Sequence, residues 1–291
     1  MAAKRGPTVR RLQLGTELRR LREKAGFTMD EAVSGLGFSQ PKLSRVEKGD
    51  IGLPKSADLE ALLERYGVED PDDVEFLTEL HRDSLNRGWW STYRTFLPSG
   101  MATYIGLETE ARTIDAWETN VVLGLLQTER YARAMFERAK SIEETTTQFV
   151  ERNIALRMER KELVTREASP VELWVILDEA VLRRVMGSAE VMREQYAEIN
   201  SLAALDNVTV QIHPMASASY RCTRGPFTVL GFDSRLPSLV QVDDASGAVS
   251  AIGEQYEVWK HARRFDAMRA GALSPEDTPR VLEALTREIG H

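Results

Sequence analysis

Residues 39–49 read SQPKLSRVEKG. Ser39 stands where a helix cap belongs, Pro41 is tolerated in a first helical turn, and Gly49 supplies the stop. Leu43 and Val46 fall three apart and turn one side of the predicted helix inward. Gln40, Lys42, Ser44 and Arg45 are left outside, with Lys48 at the far end. Glutamine can bond adenine bidentately, and lysine or arginine can bond guanine O6 and N7, so these side chains suit the edges of bases in a major groove. The competing reading is that they only solvate an exposed helix face.

The flanking sequence supplies elements to hold such a helix. Leu14, Leu18 and Leu21 recur at i, i+4 and i+7 and predict a preceding helix with one buried stripe, ended by Gly26. In TMDEAVSGLG (28–37), Thr28 with Glu31 three residues on is a capping-box start, and Gly35 or Gly37 ends a helix of two turns. Ser56 opens a fourth helix whose Leu59, Leu62, Leu63 and Tyr66 close a small core. Two short helices joined by a glycine-containing turn, the second bearing amide and cationic groups, have the geometry of a helix-turn-helix reader.

Charge supports this division of labour. Over residues 1–24, Lys4, Arg5, Arg10, Arg11, Arg19, Arg20, Arg22 and Lys24 face only Glu17 and Glu23, whereas the whole chain of 291 residues carries a net charge of -7. The sign reverses at VEDPDDVEFLTEL (68–80), which predicts an acidic connector over 69–88 between a first domain, 1–68, and a second, 89–291. MAAKRGPTVRR precedes no apolar signal core, and no apolar run approaches a membrane span, so a cytoplasmic protein is expected. The single cysteine, Cys222, forms no internal disulfide, and histidines at 81, 213, 261 and 291 lack metal-ligand spacing. No metal and no cofactor are expected.

Beyond the connector, RGWWSTYRTFLPSG (87–100) pairs Trp89 with Trp90, read as packing rather than a ligand box. A helix is expected from Leu107 through Ala111, Ile114, Trp117 and Val121, and another from Thr128 bearing Tyr131, Ala134 and Met135. A further helix at about 145–164 carries Arg152, Arg157, Arg160 and Lys161 among Glu151, Glu159 and Glu162, and reads as a solvated, ion-paired face. Then the period changes: VELWVIL (171–177), NVTVQIH (207–213), PFTVLGF (226–232) and SLVQVDD (238–244) are strand-like. Helices near 179–204, 253–271 and 275–289 complete the pattern. The expected class is α+β: an all-α N-terminal helix-turn-helix domain, then a larger α+β domain with a small mixed sheet.

Residues 12–67 resemble the helix-turn-helix family of phage repressors and bacterial XRE-type regulators, through LRRLREKAGFTMDEAVSGLGFSQPKLSRVEKGDIGLPKSADLEALLERYGV, with Met29 where that family usually has glutamine. The resemblance implies a DNA-contacting set of Thr28, Ser39, Gln40, Pro41, Lys42, Ser44, Arg45 and Lys48, and a structural pair, Arg22 with Glu47, tying the first helix to the third. The second part resembles the domain that follows in many actinobacterial antitoxin-like regulators, through YIGLETEA, GLLQTERYARA, LVTREASPVELWVILDEAVLRR, VTVQIHPM, GPFTVLGF and FDAMRAGALSPEDT. That resemblance implies a transcriptional regulator acting beside a small protein partner encoded by a neighbouring gene.

A homodimer on double-stranded DNA is expected, because one such reader covers few base pairs. The alternative is a small-molecule-responsive regulator with a pocket in the second domain. A remoter one is a hydrolase using Cys222 with His213, or Asp178 with Glu179 as paired carboxylates. Adjacent carboxylates after a strand are commonly a helix start at the positive end of the helix dipole, and Cys222 has no third group to orient His213, so no enzyme activity is expected. The GLG at 35–37 follows no strand and is a turn rather than a phosphate loop.

Overall fold

A computed structural model of the chain describes residues 7–86, 88–217, 225–232, 236–243 and 249–289. They divide into two units, residues 1–91 with 234–236, and residues 92–233 with 237–291.

The leucine spacing of the N-terminal stretch produces helix α1, Pro7–Lys24, and the Thr28–Glu31 box starts α2, Met29–Val33. Helices α3, Gln40–Glu47, and α4, Ser56–Arg65, follow. Leu14, Leu18, Leu43, Leu59 and Leu62 meet in one core and are essentially unexposed. Burying each such leucine contributes roughly 1.5–3 kcal/mol. Helix α1 lies so close to the end of α3 that a β-carbon at Gly15 would strike the carbonyl oxygens of Val46 and Glu47. Glycine in mid-helix, locally unfavourable, is here the condition for that approach.

The segment expected to be an acidic connector is instead mostly helix α5, Pro71–Ser84. Its Leu77 and Leu80 belong to the same core as Leu14 and Leu43. Asp70 accepts from the Asp72 amide at 2.9 Å, and Asp72 and Asp73 occupy the first turn, where the positive end of the helix favours carboxylates. The acidic run is a helix start, and buried Leu77 and Leu80 with half-buried Val74 form its apolar stripe.

In the second unit, α6, Met101–Glu110, leads into strand β1, Thr113–Glu118. The helix expected to continue through Ile114 and Trp117 therefore stops at Glu110. A central strand buried on both faces shows little alternation, and its apolar positions coincided with helical spacing. Helices α7, Glu129–Ala139, and α8, Thr147–Thr165, precede β2, Glu172–Asp178. Then come α9, Glu179–Arg183, α10, Ala189–Leu202, and β3, Val208–His213. Strands β4, Phe227–Gly231, β5, Leu239–Asp243, and β6, Val249–Ile252, precede α11, Gln255–Gly271, and α12, Thr278–Glu288.

The six strands form one mixed sheet in the order β3-β2-β1-β4-β5-β6. β1, β2 and β3 run parallel, joined by helical crossovers, and β4 to β6 are antiparallel to their neighbours. Trp117, Ile176, Phe227 and Val240 share one sheet face and pack with Phe265 and Met268 of α11. Ile114 and Ala116, unexposed, alternate to the other face. None of the helices among the described residues is long and apolar enough to cross a membrane.

Candidate nucleic-acid interface

Helix α3 has an inward and an outward side separated by its 3.6-residue period. Leu43, Val46 and Glu47 are buried, while Gln40, Pro41, Arg45 and Lys48 are exposed and Ser44 is half-buried. Positions 40, 41, 44, 45 and 48 recur one turn apart and share the outward side. The polar ends of Gln40, Arg45 and Lys48 have no hydrogen-bond or ion-pair partner among the described residues. Such an unpaired set on a rigid helix is able to bond to base edges and phosphates.

The helix is held in place from its buried side. Arg22 of α1 donates from Nε and Nη2 to the two Glu47 oxygens at 2.7 and 3.0 Å, and from Nη1 to the Phe27 carbonyl at 2.9 Å. The Glu47 hydrogen bonds raise the Arg22 pKa against the opposing effect of burial. Both ends of α3 are fixed as well: Pro41 sits in its first turn, and Gly49 leaves it with φ +72. The Gly49 carbonyl accepts from Arg11 Nε at 2.7 Å.

Thr28 is exposed at the start of α2 and forms both halves of the capping box. Its hydroxyl and amide donate to Glu31 at 2.7 and 2.8 Å, which holds that carboxyl below the usual range.

Two expectations for this surface are corrected. Ser39 occupies the N-cap position with extended backbone, but its side chain makes no capping hydrogen bond. Lys42 is not on the free face: its Nζ donates to Asp58 at 3.0 Å and lies 4.8 Å from the centre of the Phe38 ring. Its partner lies sixteen residues away on α4, beyond the reach of any local spacing rule.

The arginine-bearing helix of the second unit also differs from its expected solvated face. Arg160 is buried and donates from Nε and Nη2 to both Glu108 oxygens at 2.7 Å. Arg157 donates to Gln127 Oε1 at 2.7 Å, and Lys161 pairs with Glu198. Only the outer part follows the expectation, with exposed Glu151 paired to Arg133.

The residues weighed for catalysis have other engagements. Asp178 accepts from the Ala180 amide at 2.9 Å and caps α9, while Glu179 accepts from the Met215 amide at 3.0 Å and pairs with Arg183. His213 is unexposed, edge-on to Trp117 at 5.9 Å, and burial lowers its pKa. Cys222 lies outside the described residues. Trp90 is buried, with Trp89 edge-on at 5.9 Å. Among the described residues no three His, Cys, Asp or Glu side chains gather as a metal site.

A family model described as a helix-turn-helix domain matches residues 13–77, which span α1 to most of α5. A second, described as a domain of unknown function (DUF5753), matches residues 101–284. No curated protein and no solved structure matches the chain.

Proposed function

The chain belongs to the DUF5753 family and carries a helix-turn-helix domain ahead of the family's domain, and on that premise we propose that it is a sequence-specific transcriptional regulator of the XRE type. In this reading α3 enters the major groove. Gln40 and Arg45 read bases, Lys48 meets phosphate, and Thr28, Ser39, Pro41 and Ser44 line the approach. Lys42, tied to Asp58, supports the helix instead of reading from it. The observation that carries the proposal is the row of unpaired polar ends on the outer side of α3, braced from behind by Arg22 and Glu47.

Arg45→Ala is expected to weaken operator binding by about 1–3 kcal/mol and to relax selectivity at one base position. Lys48→Ala weakens all sequences alike and lowers the salt slope by about one. Affinities for an operator and for random duplex, measured over a range of salt, separate the two. Equal losses on both duplexes for Arg45→Ala contradict its base-reading role.

The second unit, in the same proposal, dimerises, docks a small protein partner and has no turnover of its own. A surface on α11 supports docking. Tyr256 and Trp259 are 59% and 50% exposed and stack at 5.9 Å, with Lys260 4.3 Å from the Tyr256 ring centre and Arg263 4.9 Å from that of Trp259. Exposed paired aromatics flanked by cations have the composition of interface hot spots. Dimerisation is supported by the length of α3, eight residues, which reads only a few base pairs and gains from a second half-site.

A further inference from the structure

Helix α11 is fixed from its inner side. His261, Phe265 and Met268 are buried, and the last two pack with Trp117, Ile176 and Phe227 of the sheet. The His261 ring stands edge-on to Phe227 at 5.1 Å, its Nδ1–H donates to the Glu257 carbonyl at 2.8 Å, and its Nε2 accepts from Arg264 Nη1 at 3.0 Å. Outward, Tyr256, Trp259 and Arg263 recur at i, i+3 and i+7 and form one exposed stripe on this rigid support.

The stripe has polar groups with nothing to bond. The Tyr256 hydroxyl, the Trp259 indole nitrogen and the Arg263 guanidinium have no hydrogen-bond or ion-pair partner among the described residues. Arg264 bonds to the neutral acceptor nitrogen of His261 and to no carboxylate among them, so two adjacent guanidiniums stand without a counter-charge. Lys260 and Arg269 differ, being paired with Glu257 at 2.7 Å and Asp266 at 3.1 Å. An indole N–H and a guanidinium can only donate. The face therefore lacks negatively charged acceptor oxygen, beside an apolar or flat group able to lie on the Tyr256–Trp259 stack.

A carboxylate-bearing peptide meets both demands. Lys260, Arg263, Arg264 and Arg269 outnumber Glu257 and Asp266 on α11, a basic helix in a chain of net charge -7. Physiological salt screens charges beyond about 8 Å, so a bound segment feels this helix more than the acidic remainder. The closely spaced charges of a phosphate backbone fit less well, since they would run against Glu257 and Asp266 of the same helix. The step from Tyr256 to Arg263 is about 10 Å at the helical rise, a length that about three extended residues cover.

We propose that the α11 face captures a short acidic segment of the protein partner, with an aromatic or large aliphatic side chain on the Tyr256–Trp259 stack and Asp or Glu side chains, about three residues away, bonded to Arg263 and Arg264. This rests on the docking role of α11 and specifies the chemistry of what docks. The probe is a displayed pool of random short peptides, selected on the full chain at physiological salt beside Trp259→Ala and Arg263→Glu. Both positions are exposed, so neither replacement shifts Tm appreciably.

Selected peptides carry Asp or Glu near an aromatic or large aliphatic residue, and they bind less tightly as salt is raised. Trp259→Ala weakens them by about thirtyfold, the size of a hot-spot loss, and Arg263→Glu releases them. Peptides that need Trp259 but show no preference for acid overturn the proposal and leave docking by α11 in place. A selection in which no peptide needs Trp259 overturns both. A single-stranded oligonucleotide held by the Arg45→Ala chain and released by Trp259→Ala assigns the stack to bases, and a dimer turned to monomer by Trp259→Ala assigns it to a second copy; either result also overturns the proposal.

Discussion

Glu47→Ala is expected to cost the N-terminal unit about 3–5 kcal/mol of stability, because removing one partner of a buried pair leaves the other charge uncompensated. The Arg22 guanidinium would retain only the Phe27 carbonyl as a close acceptor and an exposed neighbour, Glu23, at 3.6 Å. The loss acts on the position of α3 itself, since Glu47 is that helix's last residue and Arg22 lies on α1. Denaturant unfolding measures it, and DNA affinity falls in step. Replacing both partners with apolar residues, Arg22→Met with Glu47→Leu, recovers most of the stability, as buried ion pairs seldom outperform hydrophobic substitutes of similar volume. A single-variant loss below about 1 kcal/mol, the range of exposed pairs, contradicts this account of the brace.

Glu108→Ala is expected to have an effect of the same order in the second unit, about 3–5 kcal/mol. Burial works against the charge of Arg160, and the two Glu108 hydrogen bonds with their Coulomb attraction more than restore it, so its pKa lies above the ordinary arginine value. Without Glu108, Arg160 is stranded and the buried Tyr104 hydroxyl loses its acceptor. Hydrogen exchange at the β1 and β2 amides reads the change locally. Glu108→Gln keeps the shape without the charge and falls between wild type and Glu108→Ala. Unchanged protection in Glu108→Ala would show that the pair contributes nothing net to the sheet.

The parts of the fold readable from sequence are those decided by neighbours in the chain. The Thr28–Glu31 box, the first-turn Pro41, the stop at Gly49 and the leucine stripe of α1 each depend on residues within two turns; the first three mark helix ends found in the structure, and the stripe marks the buried face of α1. Strands β2, β3, β4 and β5 carried enough branched and aromatic residues to be recognised.

What escaped was decided at longer range. The acid-rich start of α5 looked like linker because its charges are visible in sequence while the core that receives Leu77 and Leu80 is not. β1 looked helical because both its faces are covered, and β6 is only four residues long. The pairing of Lys42 with Asp58 spans sixteen residues and that of Arg160 with Glu108 spans fifty-two. Both are set by packing, and both turned side chains read as solvent-facing into structural ones.

Recognition of specific duplex by α3 is tested most directly by selecting DNA from a randomised pool with the full chain, beside the Arg45→Ala variant. The account predicts enrichment of a motif with two related half-sites about 10 bp apart, or a multiple of that, and loss of preference at one position of each half-site in the variant. Retention of duplexes without any enriched motif, or the same motif at the same strength from Arg45→Ala, would contradict it.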